Sequence, residues 1–227
     1  MSIWNNSRFT RFFIAFTSST LGDWFDIFAL QIIFVHEWNA SPILLGTLFL
    51  FHLLPFIILS PAAGILADQM SKRRLMLYTD TAATLLTIGL YLSGSMAVLL
   101  IFLLIRSSIL SLNAPAQQAY IKHVVTEEHL LKASSYTTVV AQMGKILGPL
   151  LGALVLIFAS ARLCLALNAA SFALSAVILL GLPKDKVKQL EHNKTAPWFK
   201  EIAEGARYIW SVPLLRATLF IVFLWFC

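Results

Sequence analysis

Between Ser41 and Arg74 the chain reads SPILLGTLFLFHLLPFIILSPAAGILADQMSKRR. From Pro42 to Ala67 this stretch holds one ionisable side chain, His52, and it then turns abruptly to Asp68 and the basic cluster Lys72, Arg73 and Arg74. A bilayer core needs about 20 apolar residues to be crossed by a helix, and the run exceeds that length. In lipid it must be helical, because every backbone N–H and C=O has to find its partner inside the segment. The basic cluster behind it marks the cytoplasmic end, since Lys and Arg are retained on that side.

The same pattern recurs on both sides. Further apolar runs lie at roughly 11–35, 75–93, 96–115, 135–159 and 163–182, and another begins near 214. Over 227 residues, 59% are hydrophobic and 12% charged, with a mean hydropathy of +0.80. Ordinary soluble domains are about half apolar and a quarter charged, so too little polar surface remains here to cover a soluble core. The expected fold is an all-α membrane protein with a six-helix transmembrane bundle plus an incomplete seventh helix. The first run is not a cleavable signal peptide. It carries Asp23 and Asp26 at its centre, exceeds the length of such a segment and lacks a small-residue cleavage site.

Charge placement gives the expected topology. Arg8 and Arg11, then Lys72, Arg73 and Arg74, then Lys122 and Lys132, and finally Lys184 through Arg216 fall in one set of connections, while the other set holds only Arg162. That asymmetry predicts a multi-pass protein of the cell membrane with a cytoplasmic N-terminus. The net charge of +6 does not point to nucleic acid, because the basic residues sit between apolar runs and not on one face among aromatics. Cys164 and Cys227 lie inside apolar runs and the five histidines are scattered, so neither a disulfide framework nor a metal site is expected, and no cofactor is implied. No Gly-x-Ser-x-Gly elbow, His-Glu-x-x-His motif or P-loop occurs, which argues against an enzyme.

Three regions are expected: a bundle over 1–182, a cytoplasmic linker over 183–213 and the start of a seventh helix over 214–227. Within the linker Trp198, Phe199, Ile202, Ile209 and Trp210 recur at helical spacing opposite Lys200, Glu201, Glu204 and Arg207. Such a face lies on the inner leaflet or packs beneath the bundle. The last run has about 14 residues, short of a full span, and reads as a chain cut shortly after its midpoint.

Charged side chains inside spans are costly and therefore candidates for function. Asp23 and Asp26 are three apart and share a helix face. Arg106 lies midway along the fourth run and Lys145 about ten residues into the fifth, so the four are expected to meet, two acids balancing two bases. Either the cluster titrates, with Asp23 or Asp26 as the proton acceptor, Arg106 tuning it and Lys145 as a further partner, or it is a permanent ion-pair cluster. His52, Asp80, Gln31, Asn113, Gln142 and Asn168 are expected chiefly as interhelical hydrogen-bonding groups.

The junction Gly64-Ile65-Leu66-Ala67-Asp68-Gln69-Met70-Ser71-Lys72-Arg73-Arg74 resembles the loop signature of the major facilitator superfamily, Gly-x-Leu-Ala-Asp-Arg-x-Gly-Arg-Arg/Lys. Gly64, Leu66, Ala67, Asp68, Lys72 and Arg73 fit it, and Gln69 and Ser71 depart from it. Gly22-Asp23-Trp24, Ile105-Arg106-Ser107, Asn113-Ala114-Pro115-Ala116 and Asn168-Ala169-Ala170-Ser171-Phe172 look like the macrolide-efflux and siderophore-exporter branch. In the fifth run, Gly144, Gly148, Pro149 and Gly152 are similar to the Gly-x-x-x-Gly-Pro-x-x-Gly signature of facilitator antiporters.

The resemblance implies two inverted three-helix repeats and a central cavity lined by the first and fourth helices. It implies a conformational latch at Gly64, Asp68, Lys72 and Arg73, with Arg106 at the position of the family's arginine in the proton-coupling or substrate machinery. The expected activity is proton-coupled efflux of hydrophobic drugs or small molecules by alternating access, with the lipid bilayer, a small hydrophobic substrate and protons as partners and this chain as the N-terminal half. A separately encoded C-terminal half, an uptake transporter of the same fold and a non-transporting membrane protein are the competing readings.

Overall fold

The computed structural model describes residues 3–183, together with Arg207 and Ser211. The chain divides into two units, Met1–Val187 and Lys188–Cys227. Of the second, Arg207 and Ser211 are helical, and the expected linker helix and seventh helix otherwise lie outside the described residues.

Asn6 starts the bundle. Its side chain accepts from the backbone N–H groups of Arg8 and Phe9, satisfying donors that have no partner within the helix. Its Nδ2 donates to the Val124 carbonyl at 2.7 Å, so one side chain caps two helix ends. Helix α1 follows over Ser7–Trp38 and stops at Asn39, whose left-handed φ of 48° turns the chain. Pro42 occupies the first turn of α2 (Pro42–Gln69), where its missing N–H does no harm. Ser71 and Ser95 cap α3 (Lys72–Leu92) and α4 (Met96–Leu110). Helices α5 (Asn113–Val124), α6 (Glu127–Phe158) and α7 (Ala161–Leu180) complete the unit.

The fourth apolar run is thus two helices. The break at Ser111–Leu112 precedes Pro115, which then sits in the first turn of α5, where a proline is tolerated. The run continues to Val124, past the expected end at 115, and α6 begins at Glu127, ahead of the expected 135. Both extensions are polar turns that apolarity alone does not reveal.

Among the described residues, five stretches are long and apolar enough to cross a membrane: Pro42–Ser60 of α2, α3, the α4–α5 run, α6 and α7. Helix α1, expected as the first span, is not among them; it carries Arg8, Arg11, Asp23 and Asp26. At 32 residues it matches α6 in length and packs along α6 and α7.

The packing pattern is symmetric. Counting α4–α5 as one span, the first packs on the fifth and sixth, the fourth packs on the second and third, and the third packs on the sixth. Exchanging the first three spans with the last three maps these contacts onto themselves, as two repeats of three helices require. Spans one and four run in opposite directions, so the repeats are inverted. Two large apolar clusters, one around Phe9, Phe12, Leu75, Met76 and Tyr120 and the other around Leu30, Ile33, Phe34, Leu99 and Leu103, fill the bundle together with a small third of Ala83, Leu110 and Phe172. Ile43, Ile57, Ile146 and Phe158 face outward while Asp26, Asp80 and Arg106 are buried, the inverse of a soluble protein.

Candidate functional site

Arg106 projects from the C-terminal half of α4 into the waist of the bundle and is 1% exposed. Its Nη2 donates to Asp23 Oδ1 at 3.1 Å, and its Nη1 is paired with Asp26 Oδ2. The three-residue spacing of the acids places both on the side of α1 that faces α4. They are not equivalent. Asp26 is fully buried, whereas the Asp23 side chain is 36% exposed at the margin of the bundle. Phe172 of α7 lies 5.7 Å beneath the guanidinium, and His52 Nδ1 of α2 is 3.4 Å from Ser107 Oγ on the next residue. The site therefore gathers α1, α2, α4 and α7 around one cation and two carboxylates.

Lys145 is not part of this cluster. It lies exposed on α6 with its ammonium 5.9 Å from the ring centroid of Trp24, and among the described residues no carboxylate pairs with it. The expected balance of two acids and two bases is corrected to one base. The reason is rotational: Gly144 and Gly148 occupy the face of α6 that meets α1, and Lys145 stands to the side of it. A Cβ on Gly144 would come within 2.5 Å of the Trp24 ring, one on Gly148 would come within 3.2 Å of the Trp24 backbone, and one on Gly152 would come within 3.2 Å of the Phe28 ring. The glycines at four-residue spacing let α1 approach α6. Pro149 lies beside them inside the continuous helix α6.

A second buried network is only weakly marked in the sequence. Asp80 of α3 accepts from Asn113 Nδ2 at 2.9 Å and from Ser175 Oγ at 2.5 Å. It thereby ties α3 and α7 to the first residue of α5, at the break in the fourth span. Asn168 of α7 is fully buried and its Oδ1 accepts from Ser171 Oγ at 3.3 Å. The sequence carries no sign that Asp80 and Ser175, 95 residues apart, share one depth.

At the loop between α2 and α3, Lys72 Nζ donates to the Asp68 backbone carbonyl at 3.1 Å. Arg73 reaches the end of α7, donating to the carbonyls of Leu179 and Leu180 at 3.1 and 2.7 Å. Arg11 joins it there, on the Gly181 carbonyl at 2.6 Å. Gly64 of the same loop motif is open: among the described residues nothing lies within 4 Å of where its Cβ would be, so no described helix packs against that point. Among the described residues no group of His, Cys, Asp and Glu is placed to hold a metal ion.

Comparison with known proteins fits this geometry. Residues 12–227 match the profile of the Major Facilitator Superfamily. The chain is 32% identical over 202 residues to the uncharacterized MFS-type transporter YfiS of Bacillus subtilis (strain 168), covering 88% of this chain and 48% of that protein. It is 27% identical over 183 residues to macrolide efflux protein A of Streptococcus pyogenes, covering 77% of this chain and 44% of that one. A crystal structure of the peptide transporter POT superposes with a TM-score of 0.65 at 16% identity, covering 99% of this chain and 47% of that one, a likeness of fold alone. The chain spans about half the length of the curated relatives it matches. With a symmetric bundle of the same fold and the profile match along almost its whole length, the chain belongs to the major facilitator superfamily.

Proposed function

We propose that this chain forms the N-terminal half of a proton-coupled exporter of small hydrophobic compounds in the cell membrane, its N-terminus cytoplasmic, working by alternating access against a second bundle. The observation that carries the reading is the buried Arg106 shared between Asp23 and Asp26. Burying charge without an opposite partner is expensive, and this site has one carboxylate more than it has cations. A proton on one carboxylate removes the excess. Asp23, at the margin, is the group a proton reaches from a water-filled cavity, and Asp26 holds the guanidinium in place. When Asp23 gains a proton its grip on Arg106 weakens, and that change in the waist biases the rocking of the two bundles. The similarity to macrolide efflux protein A supports export, as does the resemblance of Gly144, Gly148, Pro149 and Gly152 to an antiporter signature.

The loop residues Gly64, Asp68, Lys72 and Arg73 act as the latch. Gly64 is open in this unit and offers its surface to the second bundle, while Arg73 anchors the loop to α7. The test is to sequence the coding region past Cys227, express the complete frame in drug-sensitive cells and follow dye efflux. Efflux that collapses with a protonophore supports the reading, and efflux indifferent to the proton gradient contradicts it.

A further inference from the structure

The exposed lysine in the middle of α6 is the charge the cluster does not use. Lys145 lies about 27 Å from the start of α6 and about 20 Å from its end at 1.5 Å per residue, far from either membrane surface. An ammonium facing lipid at that depth is strongly unfavourable, so the surface around Lys145 must face a polar environment.

The pattern of α6 shows which surface that is. At 100° per residue, Gly144, Gly148 and Gly152 form the face that meets α1. Val139, Met143, Ile146, Leu150 and Ile157 form an apolar face roughly opposite. Lys145 stands between the two, in line with Thr138, Gln142 and Pro149. Thr138 on this line borders a cleft of about 120 Å³ together with Gln117 and Gln118 of α5 and Phe12 and Phe16 of α1. Thr138 is the member of the polar line that reaches this cleft, whose other α6 residues, Thr137 and Ala141, belong to the face that meets α1.

Trp24 completes the arrangement. It follows Asp23 on α1, is half-buried, and its ring is held where the missing Cβ atoms of Gly144 and Gly148 leave room. Its position beneath the ammonium, 5.9 Å from centroid to Nζ, places a flat apolar platform beside a positive charge that no carboxylate among the described residues pairs with. A carboxylate on an aromatic ring offers both complements: an anion for Lys145 and a π-face for Trp24.

We propose that Trp24 and Lys145 form a substrate subsite that binds the carboxylate of an aromatic organic anion. This deepens the export reading and rests on its claim that a water-filled cavity lies between this bundle and a second one. The glycines of α6 act on substrate indirectly, by positioning Trp24. Lys145 selects for anionic over neutral compounds, and the Asp23–Arg106–Asp26 cluster handles protons separately.

The test is equilibrium binding of 2-naphthoate and its uncharged isostere 2-naphthamide to the full chain in lipid nanodiscs, with empty nanodiscs subtracted. The wild-type chain is expected to bind naphthoate saturably and more tightly than naphthamide. Lys145→Met is expected to weaken naphthoate about tenfold, the scale of one lost charge-assisted contact, and to leave naphthamide unchanged. Lys145→Arg is expected to retain the preference, and Trp24→Leu to weaken both probes. Absence of saturable naphthoate binding, or equal loss of both probes in Lys145→Met, overturns the subsite. Naphthoate binding indifferent to Lys145→Met also overturns it, and would leave an acidic residue elsewhere in the chain as the partner of the lysine. Charge-selective binding that persists where dye efflux proves independent of protons keeps the subsite and removes the proton coupling from the export reading.

Discussion

Arg73 is hydrogen-bonded to Leu180 across the end of the bundle, its Nη2 donating to the carbonyl at 2.7 Å while its Nε serves Leu179. The last carbonyls of a helix have no partner within it and carry partial negative charge, so a guanidinium there both bonds and complements the dipole. Arg73→Ala is expected to destabilise the unit by about 1–2 kcal/mol. Arg73→Lys recovers part of that, because an ammonium lacks the planar fork that spans two carbonyls. Hydrogen exchange of the last turn of α7 is the direct readout: it accelerates in Arg73→Ala while the middle of α7 is unchanged.

The glycines of α6 separate into those that matter for packing and controls elsewhere that do not. Gly148→Ala sets a methyl group against Trp24 and is expected to cost about 1–3 kcal/mol by overpacking. Gly46 and Gly64 have nothing within 4 Å of the place an alanine methyl would take, so alanine there is expected to be neutral, or stabilising by up to about 1 kcal/mol through helix propensity. Thermal unfolding in detergent distinguishes the three. If Gly64→Ala leaves the unfolding temperature intact yet lowers transport by the complete protein, the affected contact lies outside residues 3–183.

Asp80 is expected to be a structural anchor. Asp80→Leu leaves the donors of Asn113 and Ser175 buried without an acceptor, a loss of about 1–3 kcal/mol for each unsatisfied group. Asp80→Asn keeps an acceptor and retains more stability. A fall in unfolding temperature for Asp80→Leu that Ser175→Ala largely rescues would show that the network acts as one unit.

At the opposite end, Arg162 binds Glu37 through two nitrogens, at 3.0 and 2.6 Å, and the Tyr91 carbonyl through a third at 3.0 Å, tying α7 to α1 and α3. The hydrogen bond from Arg162 holds the Glu37 carboxyl below its ordinary value of 4.5. The stabilisation is fully present above 4.5 and is lost as pH falls through the depressed value of the folded state. The pair is part-exposed, so its worth is about 0.2–1 kcal/mol. Glu37→Gln is expected to lower the unfolding temperature slightly at pH 7, with the difference from wild type vanishing as pH falls through the depressed value of the folded state. A difference that grows on acidification would contradict the assignment.

Much of this is legible in the chain because the bilayer imposes a length and a polarity that apolar runs record directly. The runs at 42–67 and 163–182 predict α2 and α7 closely, and Asp23, Asp26 and Arg106 stand out because charge inside a span is rare. Local signals fail where partners are distant or where rotation decides. Lys145 shares the depth of the acids but not their direction, and only the packing of Gly148 on Trp24 shows which way α6 is turned. The break at Ser111–Leu112 has a visible cause in Pro115, yet apolarity runs straight through it. The motif around Arg73 resembles a family loop signature, and no pattern in the sequence ties that residue to Leu180.

The account stands or falls on whether the carboxylates that share Arg106 carry the proton. In proteoliposomes of the complete transporter, addition of a transported dye to the wild type is expected to drive proton movement against the dye. In Asp23→Asn the dye still binds, within about threefold of wild type, but the coupled proton signal is lost, about a tenfold or greater fall. If Asp23→Asn and the double variant with Asp26→Asn move protons with dye as the wild type does, the cluster is a structural ion pair and the coupling site lies elsewhere.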